Sequence, residues 1–282
     1  MKTLYFLFTC LIACSTLFAQ DDSTRVADLT TFGQKFERGR VVLWLSKDSL
    51  STQRVDEILD TLNLGVMKAS AFINAPKTWQ VFADQPVTFF LCNDDFVPHA
   101  SADGYVFMPR KRFQTNKALW FHETMHILLR TKSGNWNDAP QQVTIEKMPM
   151  WLTEGLPEYI AMKLSYENNF ARYDAWKDGG YPKADSSCAA KLRNEKGSHI
   201  LNFIGKPGVL IELFGKSRPM YAPTFYNCSC SFTKYLVDQF GIEVPLQAIA
   251  NFGDEEKTIE TLTSTDMETL RAGWLTKIGY SK

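Results

Sequence analysis

The chain predicts an α+β fold, and two observations predict it. Its strand-like apolar runs all fall in the first half, and its 3.6-residue apolar periodicities fill the second. The two kinds of segment do not alternate as a doubly wound sheet requires. With 282 residues, 45% of them hydrophobic and 22% charged, the chain can bury a sizeable core as one large domain or two small ones. Thirty-one Lys+Arg balance thirty-one Asp+Glu, so no net field draws in nucleic acid or an acidic membrane. The basic run Arg110-Lys111-Arg112 is short and reads as a solvated loop. Repeats, heptads and low-complexity tracts are absent.

The first element is a leader over residues 1–19. Met1 and Lys2 precede the apolar run from Leu4 to Ala13, which is too short to span a bilayer. Cleavage after Ala19 is favoured, because apolar residues continue past Cys14 to that small residue. The alternative is Leu11-Ile-Ala-Cys14, which resembles a bacterial lipobox and would make Cys14 a lipid anchor. No later stretch reaches the ~18 apolar residues of a membrane helix, so an exported protein without a transmembrane helix is expected.

Val41–Leu45 reads as a buried strand. Residues 51–75 read as a helix, with Val55, Ile58, Leu59, Leu62 and Val66 on one stripe. Pro86–Cys92 is the next strand. Gly104–Met108 follows a Ser-Ala-Asp-Gly turn signal, ends at Pro109 and reads as an edge strand. A helix over 116–130 is apolar nearly all round and should be buried. A polar loop is expected over 131–146, a helix over 150–166, and an irregular insertion over 167–206. The remaining helices are placed at 209–214, 227–240, 245–251 and 266–278.

Export changes the meaning of the cysteines. Cys92, Cys188, Cys228 and Cys230 remain after the leader, and an oxidising compartment favours disulfides. A bond between Cys228 and Cys230, one residue apart, would be badly strained. Each of them is therefore expected to pair with Cys92 or Cys188. No C-x2-C spacing supports zinc on these thiols.

Three ionisable residues sit in the middle of the buried 116–130 helix: His122, Glu123 and His126. Buried polar groups need partners or a metal. Residues i and i+4 share a helix face, so both imidazoles can reach one ion at about 2.0–2.1 Å. Glu123 lies beside them, placed to take a proton from a water at that metal. A catalytic metal needs a third protein ligand, and Trp151-Leu-Thr-Glu154-Gly155-Leu-Pro-Glu158 lies downstream. Glu154 and Glu158 are again i and i+4, so one can bind metal while the other holds a histidine N–H.

His122-Glu-Thr-Met-His126 followed by Trp151-Leu-Thr-Glu-Gly155 resembles the gluzincin metallopeptidases, the group holding thermolysin and the alanyl-aminopeptidases. The resemblance implies a thermolysin-like catalytic domain of two lobes: 20–133, α+β with the His-Glu-x-x-His helix, and 134–282, helical. It implies zinc held by His122, His126 and Glu154, with Glu158 orienting the first histidine. It also implies Tyr226, just before a helix of small and apolar residues, as the hydroxyl that stabilises the oxyanion; His199 is the alternative. His99 and Tyr159 are read as structural. The metzincin pattern would need Gly at 129 and His at 132, where this chain has Leu129 and Lys132. The 27 residues between His126 and Glu154 exceed the spacing in these families, and the excess falls in the polar loop. Gly-x-Met-Glu-Asn, which binds a free substrate N-terminus in the aminopeptidases, has no match, so an endopeptidase is favoured. The expected edge strand 104–108 can pair with an extended peptide.

The expected function is hydrolysis of peptide bonds in a peptide or protein substrate, with Glu123 as general base and then proton donor. The alternatives are a zinc hydrolase of another amide or ester, and a binding module that keeps a peptidase-like scaffold without turnover.

Overall fold

The first element among the described residues is a helix at 22–32, α1, which runs straight into strand β1 (Gly33–Arg38). The structure is a computed structural model describing residues 22–47, 50–74, 85–101, 103–114, 120–130, 149–168, 170, 180–213, 217–251 and 253–280. The expected leader with Cys14 and the expected 131–146 loop lie outside the described residues.

A tight turn with Gly39 at φ 55° reverses β1 onto β2 (Val41–Ser46), antiparallel. β2 alternates: Val41, Leu43 and Leu45 enter the main core, while Trp44 faces the other way. Helix α2 (Thr52–Ile73) then crosses over to β3 (Val87–Cys92), which lies parallel to β2. Ser51 Oγ caps α2 by accepting from Arg54 N, and the expected stripe from Val55 to Val66 is buried against the sheet. β4 (His99–Ala100) and β5 (Tyr105–Pro109) form a hairpin, with β5 parallel to β3.

The sheet order is β1-β2-β3-β5-β4, a mixed sheet in an α+β architecture. The expected edge strand is therefore internal. β5 has β3 on one side and β4 on the other, and β4 is the edge. Two residues carry too little pattern to be read as a strand, which is why β4 escaped notice. The sheet's second face is covered by α1: Leu29 packs on Phe90, Cys92 and Phe107, with Val26, Trp44 and Phe96 around them. The basic run forms the one-turn helix α3 (Arg110–Gln114) rather than a loop, and Arg112 Nε donates to Asp95 at 2.8 Å.

Next come α4 (Trp120–Leu128) and α5 (Met150–Glu167). α5 is buried on nearly every side, between α4, α2 and a long helix α8 (Arg218–Phe240). Its Gly155 sets that packing. A Cβ there would stand 2.7 Å from the Ser229 carbonyl oxygen and 2.8 Å from Thr233 Oγ1, so only glycine lets the two helices meet this closely.

The expected irregular insertion contains α6 (Ala184–Leu192) and α7 (Glu195–Ile200). Ala184, Cys188, Ala189 and Leu192 make a helical stripe, but residues this small give a weak signal. Expected helix 209–214 is a single 3-10 turn at Ile211–Leu213, and α8 starts nine residues before its expected start. α9 (Glu243–Ala250), α10 (Glu255–Thr263) and α11 (Met267–Lys277) complete the chain. α10 has one buried apolar residue, Ile259, and was not expected. One hydrophobic cluster runs from Val41 to Trp274 through both halves. Among the described residues no helix is long and apolar enough to cross a membrane.

Candidate metal centre

Helix α4 presents His122 and His126 one turn apart, with their rings edge-to-face at 4.7 Å. Their Nε2 atoms lie 3.0 Å from each other. Glu154, in the first turns of α5, brings Oε2 to 3.3 Å from His122 Nε2 and 3.6 Å from His126 Nε2. Ligand atoms of the three residues all lie within 4.8 Å of one another. Zinc bonds of about 2.0–2.1 Å at a tetrahedral angle place ligand atoms roughly 3.3 Å apart, so this set fits such an ion.

The protonation pattern makes the same demand. Glu158, one turn beyond Glu154 and 1% exposed, accepts a hydrogen bond from His122 Nδ1 at 2.8 Å. With Nδ1 donating, Nε2 of a neutral His122 offers a lone pair toward His126 Nε2 and the Glu154 carboxylate. The Glu154 carboxylate and the two Nε2 atoms then meet at one point, where a proton or a cation can be shared. Burial disfavours the His122 cation, yet hydrogen bonds to Glu154 and Glu158 outweigh it and hold the imidazole pKa well above its ordinary value. Burial likewise opposes ionisation of Glu154, and the nearby His126 with the His122 hydrogen bond drives its carboxyl far below the usual range. A divalent cation at the same point satisfies all three groups at once.

Glu123 is buried beside the histidines and is not one of the converging groups. Burial raises its pKa, against the pull of His122 and His126. Tyr226 reaches the site from α8, its ring edge-on to His122 at 5.7 Å. It stands in the helix interior and not before the helix, as expected from the sequence. Burial and Glu154 push its phenol pKa well up, so the hydroxyl stays a neutral donor.

Arg218 was missed. Its Nη2 lies 3.5 Å from the Tyr226 hydroxyl, to which it donates. Two helical turns separate them, so a helix drawn back through Pro219 would have put both on one face. His199 instead pairs with Glu212 at 2.9 Å and packs on Phe203 and Tyr221, none of them a site residue. His99 is structural: Nε2 meets the Asp22 carboxylate at 3.0 Å, pinning α1 to β4, and its ring stacks on Phe107. Tyr159 is buried against Tyr181.

Comparison with protein-family models, with curated proteins and with solved structures found no match.

Proposed function

We propose that this chain is an exported zinc-dependent peptidase of gluzincin type, and more specifically an endopeptidase. The observation that carries the reading is the convergence of His122, His126 and Glu154, with Glu158 behind the first histidine and Glu123 beside the set. A chance histidine pair at i and i+4 needs no carboxylate from a second helix, and no further carboxylate to fix its tautomer.

Zinc held by His122, His126 and Glu154 would supply Lewis acidity, which lowers the pKa of a water and polarises a carbonyl. Glu123 takes the proton of the attacking water and passes it to the leaving amine. Tyr226 donates a hydrogen bond to the oxyanion that develops, and Arg218, which donates to the Tyr226 oxygen, keeps that hydroxyl oriented. Glu158 holds His122 in the tautomer whose Nε2 faces the metal point. The sheet edge packed against α4 is β4, so an extended substrate backbone adds there and not to β5.

Glu123→Gln tests the reading, because it preserves size and removes only the basic carboxylate. The variant should keep one zinc per chain by mass spectrometry and lose at least the ~10²–10⁴-fold typical of acid–base catalysis on any cleaved peptide. Full zinc with full activity would overturn the assignment.

A further inference from the structure

The geometry points to one structural disulfide, Cys188–Cys228, that fastens α6 to the helix carrying Tyr226. The two thiols are unbonded in the structure, with Sγ atoms 2.6 Å apart, longer than the ~2.05 Å of an S–S bond but closer than the roughly 3.5–4.0 Å at which unbonded heavy atoms rest. Both residues are fully buried, so neither thiol has solvent as an alternative partner. The helices are also in register around them. On α6, Asp185 accepts from Ser231 Oγ at 2.7 Å and pairs with Lys234 Nζ at 3.0 Å, both on α8. That clasp holds one helix against the other with the two cysteines face to face.

The other pairings open to the sequence are closed by placement. Cys92 lies under α1 on the sheet's second face, in the cluster with Phe90 and Phe107. Cys230, two residues beyond Cys228, is turned toward α5, where its Sγ meets Met162 Sδ at 3.7 Å. Residues two apart on a helix are rotated by about 200°, so Cys228 and Cys230 face different neighbours.

The chemistry is thiol–disulfide exchange with a disulfide oxidant, either glutathione disulfide or an exposed protein disulfide. A thiolate attacks the oxidant to give a mixed disulfide, and the second cysteine displaces the leaving thiol. Two S–H bonds are lost, one S–S bond forms, and the oxidant leaves as two thiols carrying the two electrons and two protons. Burial pushes the Cys188 thiol well above its ordinary pKa, so once α6 is seated exchange at this pair is slow. The bond is therefore a lasting clamp and not a reversible sensor. Its closure leaves the metal-site residues untouched, so it stands or falls independently of the proposed activity.

The test needs no substrate. Reduced, unfolded full-length mature protein is refolded in a glutathione/glutathione-disulfide buffer, so that the thiols are accessible before α6 seats, and in parallel the protein is recovered from an oxidising compartment. Both are denatured, alkylated without reductant, digested and analysed by mass spectrometry. A peptide pair joined through Cys188 and Cys228, with Cys92 and Cys230 alkylated, is expected in each. The bridged loop spans 40 residues, so protein reduced while unfolded and refolded under dithiothreitol should melt on the order of 10 °C lower. Cys188→Ala/Cys228→Ala should melt at the reduced value with or without reductant, whereas Cys230→Ser should keep the cross-link. Four alkylated cysteines in the glutathione-treated protein, or a bond to Cys92 or Cys230, would overturn the inference.

Discussion

Glu154 and Glu158 are chemically identical, one helical turn apart, and both bonded to His122, yet the proposed function gives them different roles. A matched pair of amide substitutions separates those roles. Glu158→Gln keeps an acceptor for the 2.8 Å bond from His122 Nδ1 and removes only its charge. A charge-assisted bond contributes about 1.5–3 kcal/mol and a neutral one about 0.5–1.5, so roughly 1–1.5 kcal/mol is lost. That is about a tenfold weakening of zinc affinity, at the low end of the ~10–100-fold typical of groups that orient a ligand. Glu154→Gln removes the anionic ligand itself. Dividing the ~10–16 kcal/mol of a four-ligand zinc site evenly gives about 3–4 kcal/mol per ligand, or on the order of 10²–10³-fold. The assay is competition with a zinc chelator of known affinity at fixed pH, with metal content read by mass spectrometry. Equal losses, or a greater loss for Glu158→Gln, would show that the ligand and its support are assigned the wrong way round. No loss in either variant would mean that zinc does not sit between α4 and α5.

Tyr226→Phe should lower kcat roughly 10²-fold on a cleaved peptide with KM nearly unchanged, since its hydrogen bond is made in the transition state; equal kcat would return Tyr226 to a packing role. Gly155→Ala drives a methyl into the Ser229 carbonyl and Thr233 hydroxyl, so it should cost about 1–3 kcal/mol and lower Tm by about 2–10 °C in calorimetry; a variant as stable as the parent would refute the close α5–α8 contact. Burial lifts the Glu256 carboxyl to about 7 from its ordinary 4.5, so the folded state holds that proton more tightly than the unfolded one. Its stability is then full below pH 4.5 and declines as pH rises toward 7. Glu256→Gln should accordingly match the parent at pH 4 and exceed it by about 1–2 kcal/mol at pH 8, read by denaturant melts at both pH values. An unchanged difference across pH would place that carboxyl in water.

The candidate-site residues were legible because their chemistry repeats at helical spacing. His122 and His126 stand four apart in an apolar run, and Glu154 and Glu158 stand four apart in the next, so each pair had to share a face. What joins the two pairs is tertiary, and nothing local announces it. Segments with diluted apolar signal stayed hidden. β1 buries little beyond Phe36, β4 is two residues long, and α6 is striped with alanine and cysteine. The expected helix at 227–240 truncates α8, which runs through Pro219, tolerated where the first-turn N–H groups have no helical partner, and through Pro223 inside the helix, where one helical hydrogen bond is given up. That truncation moved Tyr226 to a helix start and concealed Arg218. The edge strand was misassigned because a pattern shows which residues pair in a sheet far less clearly than it shows that they form a strand.

Because the converging groups come from two separate helices, any ion they share also ties α4 to α5, and occupancy becomes a thermodynamic variable of the whole domain. A ligand that binds only the native state adds RT ln(1 + [L]/Kd) to its stability, about 4 kcal/mol when free zinc is a thousandfold above Kd. The melting temperature should then follow the logarithm of free zinc, and a chelator should loosen the contact between the helices as well as stop turnover. Zinc scarcity would act on this protein through its abundance as much as through its rate, since the depleted form is the one that unfolds and is degraded more readily.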